Sequence, residues 1–273
     1  MDFLFIILSI IFLFTGFASG LLAGLLGVGG GIITVPITYF ILIYLGYSDK
    51  IVMHIAISSS LGIIFFTSIS SVRSHIMLKN VDFKIIKKWI YGIIFGSVTG
   101  SLVASKINGE YLVLIFVFLL SIISINLFFQ KNFIKLADHL PNKKISNFFI
   151  SSTIGFLSVL MGIGGGSFSV PTLTAFSTPM HKAVGSSALI GFFIAFPGVI
   201  TYALAGKDIV GLPPYSLGYA NYMIIFLVAL GSIFTAHIGA KISSRTKTSN
   251  LKKIFAVFLF CTCISLIIEH FIL

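Results

Sequence analysis

Apolar runs of about 20 residues recur from one end of this chain to the other, and each is the length a helix needs to cross roughly 30 Å of hydrocarbon. Of the 273 residues, 57% are hydrophobic and 9% charged. A soluble domain carries about 25% charged residues, so there is too little polar surface here to cover a globule. An outer-membrane barrel would show alternating segments of roughly ten residues instead. The pattern predicts an all-α polytopic membrane protein. Its apolar segments are 3–27, 31–46, 51–72, 85–107 and 110–130, then 145–162, 167–178, 183–206, 216–242 and 251–272. The opening MDFLFIILSIIF has no positive n-region and reads as a first span rather than a cleaved signal.

Those segments fall into five and five. Segments 31–46 and 167–178 are too short to fill the hydrocarbon at about 1.5 Å per residue. Shifting 20–36 by 135 positions matches nine of seventeen residues, among them Gly29–Gly31 with Gly164–Gly166 and Val35-Pro36 with Val170-Pro171. The same shift aligns Gly96-Ser97 with Gly231-Ser232 and Lys106-Ile107 with Lys241-Ile242. Between these blocks, MHIAISSSL (53–61) resembles MHKAVGSSAL (180–189). Three blocks in one order predict an internal repeat, 1–135 and 136–273. Each copy is a Gly-broken helical hairpin followed by three spans.

An odd number of crossings in each copy inverts the second. If each hairpin returns the chain to its starting side, loops 73–88, 130–144, 178–182 and 241–253 share a face. They carry fifteen of the eighteen Lys and Arg residues. That split obeys the positive-inside tendency and predicts two inverted repeats, with both termini on the non-cytoplasmic side of the membrane. The net charge of +11 therefore belongs to cytoplasmic loops and calls for no nucleic acid.

Non-helical backbone is tolerated inside a bilayer only where protein buries it or water reaches it. GVGGG (27–31) and GIGGG (162–166) interrupt apolar sequence and are followed by Thr34-Val35-Pro36 and Ser169-Val170-Pro171. Each reads as a new helix start, with Thr34 or Ser169 as N-cap and proline in the first turn. A helix N-terminus presents free N–H groups and about half a positive charge, which draws anions without a buried Lys or Arg. In an inverted repeat the two tips approach each other near the midplane, an arrangement suited to carrying an anion. The competing reading is close helix packing through small residues.

The paired GxGGG(x)4P blocks at 27–36 and 162–171, with the H-x-A-x-S/G-S-S blocks at 54–60 and 181–187, resemble the sulfite exporter TauE/SafE family, also called the toluene sulfonate uptake permease family. The similarity runs from about residue 15 to the C-terminus. It implies an inner-membrane carrier of small sulfur anions such as sulfite, sulfoacetate or isethionate. Where the family's later block usually reads G-T-S, this chain has Ser58-Ser59-Ser60 and Gly185-Ser186-Ser187. The hydroxyls stay and the threonine is lost.

The residues expected to contact the anion are Gly29, Gly30, Gly31, Thr34, Ser59, Ser60, Gly164, Gly165, Gly166, Ser167, Ser169, Ser186 and Ser187. Serine hydroxyls donate neutral hydrogen bonds to sulfonate oxygens, or back-bond to helix carbonyls. His54 and His181 occupy matching positions and read as a gate or a proton-coupling pair. Asn221 reads as interhelical glue, and Tyr202, Tyr215, Tyr219 and Tyr222 as an aromatic belt. No acidic residue falls deep in a span. Cys261 and Cys263 point to different faces of a helix, so neither a disulfide nor a metal pair is expected. With no Walker motif, metal cluster or soluble domain, the chain reads as a transporter and not an enzyme, without cofactor. Its partners are the anion, lipid and a coupling ion such as H+ or Na+. A passive anion channel and a membrane scaffold are the alternatives.

Overall fold

The computed structural model describes residues 2–27, 29–129, 135–243 and 249–272. Its first five helices are α1 (Asp2–Leu26), α2 (Gly31–Tyr44), α3 (Asp49–Met77), α4 (Phe83–Ala104) and α5 (Gly109–Phe129). The second five are α6 (Lys144–Leu160), α7 (Gly166–Ala175), α8 (Met180–Ala205), α9 (Tyr222–Ser243) and α10 (Ser249–Ile272). The division read at 135/136 falls in the segment joining α5 to α6; residues 130–134, with Lys131 of the basic set, lie outside the described residues, as do Arg245 and Lys247.

Among the described residues, five helices are long and apolar enough to cross a membrane: Phe3–Leu25, Asp49–Met77, Gly109–Phe129, Met180–Ala205 and Tyr222–Ser243. Helices α2 and α7 have 14 and 10 residues, about 21 Å and 15 Å at 1.5 Å per residue. Neither crosses roughly 30 Å of hydrocarbon alone. Phe14, Phe118, Phe226 and Phe234 turn outward, as lipid-facing side chains do.

Helices α3 and α8 form the centre and pack on each other; α1 runs along α9, α4 along α6, and α5 along α10. Helix α3 also meets α9, and α8 meets α4. Exchanging the first five helices for the second five turns α1·α9 into α6·α4 and α3·α9 into α8·α4, and leaves α3·α8 and α5·α10 as they are. Small residues set the two outer seams. A Cβ on Gly16, Gly20 or Gly24 of α1 would stand 2.1 to 2.3 Å from a backbone oxygen of α9, and one on Gly96 of α4 would stand 2.0 Å from Ser152 O of α6. At these glycines the packing reading holds.

One apolar segment differs from expectation. The run 216–242 is not all helix: α9 starts at Tyr222, preceded by a two-residue antiparallel ladder of β1 (Ser216–Leu217) and β2 (Ala220–Asn221). Gly218 turns the chain at φ 56°, and the Asn221 side-chain oxygen accepts the Ile224 N–H at 3.0 Å, capping α9. Asn221 thus ends a loop rather than gluing helices. Helix α3 runs on past 72 to Met77. On α10, Cys261 is exposed and Cys263 buried, the two faces their spacing predicts.

Candidate functional site

The two glycine breaks turn into their new helices alike, although Gly29 has φ 79° and its counterpart Gly164 has no positive φ. Gly30 (φ 77°, ψ −10°) and Gly165 (φ 79°, ψ −20°) are left-handed N-caps of α2 and α7, and Gly27 and Gly162 also have positive φ. The new helices therefore start at Gly31 and Gly166, three residues before the Thr34 and Ser169 caps expected from sequence. A left-handed glycine turns the chain straight into the helix, so no hydroxyl cap is needed. By helix geometry, the first N–H groups of α2 and α7 have no acceptor one turn back.

Thr34 and Ser169, freed from capping, bond to α3 and α8. Thr34 Oγ1 lies 2.8 Å from Ser60 Oγ, and Ser169 Oγ lies 2.6 Å from Ser187 Oγ. Ser60 in turn donates to Gly162 O at 2.7 Å, so its single proton binds the break of the other half and Thr34 is the donor to Ser60. The breaks themselves touch. A Cβ on Gly29 would stand 2.9 Å from Gly164 Cα, and one on Gly31 would stand 2.1 Å from Gly162 O. Beside this contact is a small, mostly apolar cavity, walled by Gly29, Gly164, Ile64, Ala188, Ser68 and Ser71 among others. It has space for about one water.

Ser59 and Ser186 are engaged elsewhere. Ser59 Oγ accepts the Asn221 N–H at 3.1 Å, and Ser186 Oγ accepts the Asp82 N–H at 2.9 Å. Asp82 is the N-cap of α4, its carboxylate accepting the Lys84 N–H, as Asn221 caps α9. Each serine on a central helix of one half thus holds the start of a helix in the other. The structure gathers Gly29, Gly30, Gly31, Thr34, Ser60, Gly164, Gly165, Gly166, Ser169 and Ser187 around the breaks. Ser167, on α7, has a hydroxyl without a partner among the described residues.

The two histidines part company. His54 is buried, its Nε2 near Ala104 O (3.2 Å) and Ile107 O (3.0 Å). Carbonyls only accept, so Nε2 carries the proton. Its ring stacks on Tyr219 with centroids 4.7 Å apart. His181 is exposed at the first turn of α8. Tyr202 and Tyr219 are also buried, with their rings edge to face, so of the expected belt Tyr215 and Tyr222 remain on the surface.

Other buried hydroxyls lie near the breaks. Ser19 Oγ would be 2.3 Å from a Cβ on Gly30, and Ser158 Oγ 3.7 Å from one on Gly165. Neither has a hydrogen-bond partner among the described residues. Both precede their glycine break on the first arm, the signal that could have found them. Among the described residues no group of His, Cys, Asp and Glu is disposed to hold a metal.

The sulfite exporter TauE/SafE family model matches residues 12–266. A probable membrane transporter protein of Haemophilus influenzae is 30% identical over 98% of this chain and 100% of its own length. A probable membrane transporter protein of Methanocaldococcus jannaschii is 30% identical over 92% of each chain, and YunE, a probable membrane transporter protein of Bacillus subtilis, is 26% identical over 95% of this chain and 97% of its own. No solved structure matches. A multi-pass helical chain with paired glycine breaks, matched by that model over nearly its whole length, belongs to the TauE/SafE sulfite exporter family of membrane transporters.

Proposed function

We propose that this transporter is a secondary carrier of small sulfur oxyanions, sulfite or short sulfonates, built from inverted repeats 1–135 and 136–273 and working by alternating access in a bacterial inner membrane. The observation that carries the reading is the contact of the two glycine breaks, each at the start of a helix and each flanked by a hydroxyl pair, Thr34–Ser60 and Ser169–Ser187. Two helix N-termini offer N–H groups and partial positive charge to one anion. The Ser169–Ser187 pair keeps one hydroxyl proton for the anion's oxygens, whereas those of Thr34 and Ser60 would have to turn from Ser60 Oγ and Gly162 O. The junction has room for about one water, which fits a closed stage of a carrier better than a standing pore. The ties Ser59–Asn221 and Ser186–Asp82 join opposite halves and would break in turn as one half rocks against the other.

Counterflow into proteoliposomes tests this. Preloaded unlabelled sulfite should drive saturable uptake of labelled sulfite, with isethionate, taurine, sulfoacetate and sulfate as competitors. The same anions should raise the melting temperature in detergent; at a hundred times Kd the stabilisation is about 2.7 kcal/mol. Large single-channel currents, or no stabilisation by any of the anions, would overturn the reading.

A further inference from the structure

We propose that Ser71 and His75 of α3 form a second, one-sided subsite that receives the sulfur oxyanion between the glycine junction and the basic end of α3. This rests on the carrier reading above. Ser68 and Ser71 wall the small cavity beside Gly27, Gly29 and Gly164. Ser71 is 2% exposed and His75, one turn further along the same face, 1%. The Ser71 hydroxyl has no hydrogen-bond partner among the described residues, and the His75 ring makes no bond of good geometry, its one near acceptor being the Gly24 carbonyl of α1. Other hydroxyls of this stretch are committed: Thr67 donates to Ile63 O, Ser68 to Phe65 O, and Ser74 to Ser70 O. Most buried side-chain polar groups are paired, so an unpartnered hydroxyl beside a weakly held imidazole leaves a place for an occupant that arrives in another stage of transport.

Their chemistry specifies it. An O–H and an imidazole N–H are neutral donors with the geometry to bridge oxygens of one oxyanion. This face of α3 starts at the cavity beside the glycine junction and runs to the helix end at Met77, just beyond which Lys79 is exposed. On the matching face of α8, counted from the paired serines Ser60 and Ser187, Ala195, Gly198 and Tyr202 stand where α3 has Ser68, Ser71 and His75. Tyr202 also carries a buried hydroxyl without a partner among the described residues, but with Gly198 in place of Ser71 and no imidazole, the serine–imidazole pair is present on the α3 side alone.

The test is sulfite transport by the full chain in oriented proteoliposomes, with substrate offered from each side. His75→Phe and Ser71→Ala should each raise KM at least fivefold from the side of the α3 C-terminus and less than twofold from the other. His75→Gln, which restores an N–H, should recover most of the loss. Ser71→Ala removes one oxygen and leaves the fold intact, so it carries the same expectation if His75→Phe fails to fold. A KM within twofold of wild type from both sides in Ser71→Ala, or an equal rise from both sides, overturns the subsite while leaving the carrier reading in place. Failure of the wild-type protein to transport sulfite or any of the sulfonates overturns both.

Discussion

Replacing Ser59 with alanine removes the acceptor of the Asn221 N–H and leaves that donor with no partner on the described side of α3. Asn221 is 3% exposed, so water does not replace the hydroxyl, and the cost is that of a buried unsatisfied donor, about 1–3 kcal/mol. The equilibrium for opening at that end should rise by about 5- to 150-fold, at 1.4 kcal/mol per factor of ten. Ser186→Ala is the matched perturbation at the opposite end. Asp82 is only half-buried, water takes over part of the bond, and the loss is nearer the net value of an ordinary hydrogen bond, about 0.5–1.5 kcal/mol or about 2- to 12-fold. Hydrogen exchange read by mass spectrometry measures both. Ser59→Ala should speed exchange in 216–222 by the larger factor and leave 80–84 unchanged or slower; Ser186→Ala should do the reverse by the smaller one. If either variant accelerates both segments alike, the ties belong to one cooperative fold and not to two alternating closures.

Gly30→Ala sets a side chain in left-handed backbone, at about 1–2 kcal/mol, and also forces its Cβ against Ser19. Gly46, at φ 81° with nothing within 4 Å of a Cβ, isolates the strain alone, so Gly30→Ala should lower the melting temperature more than Gly46→Ala, and it alone should abolish counterflow. His54→Ala removes the donor to Ala104 O and Ile107 O and the stack on Tyr219, a loss of about 1–3 kcal/mol. His181→Ala, at an exposed position, should fall within about 0.5 kcal/mol of wild type in the same melts. Trp89→Phe leaves the buried Asn147 side-chain oxygen without its indole donor and should cost about 1–3 kcal/mol with the transport KM unchanged.

The breaks at 27–31 and 162–166 were legible because three consecutive glycines before a proline interrupt a helix in an apolar run, and the same pattern occurs twice. Where the helices restart was not: hydroxyl N-caps are a strong local preference, but left-handed glycines did the capping and released Thr34 and Ser169 to tertiary bonds. The paired serines were visible as a block but not in their separate duties. Neighbours on a helix point about 100° apart, so Ser60 and Ser187 reach the hairpins while Ser59 and Ser186 reach the opposite half. His75 escaped notice because hydropathy ends the apolar segment near Arg73, although the helix and its buried face continue to Met77. The sequence match of His54 to His181 hid a difference in cover. The ladder 216–221 brings Tyr219 over His54, whereas the shorter link of the other half sets Asn80 O against Gly185.

That difference in links sharpens the meaning of the two ties. The segment between α3 and α4 spans 78–82, while that between α8 and α9 spans 206–221 and carries its own strand ladder. Links so unequal in length and shape would not bring their last residues to matching serines through loop geometry alone. Yet in both halves the residue that caps the following helix donates its backbone N–H to the first serine of the pair on the opposite central helix. The invariant element is the helix start, held from across the molecule, and the loops vary around it. A bond that recurs at both ends of the path, between halves that are otherwise free to diverge, is where a closure mechanism would be expected to sit. It also predicts an asymmetry of strength, since one donor is shut away from water and the other is not. Under the proposed alternating access, the chain should therefore rest with its Asp82 end the easier to open.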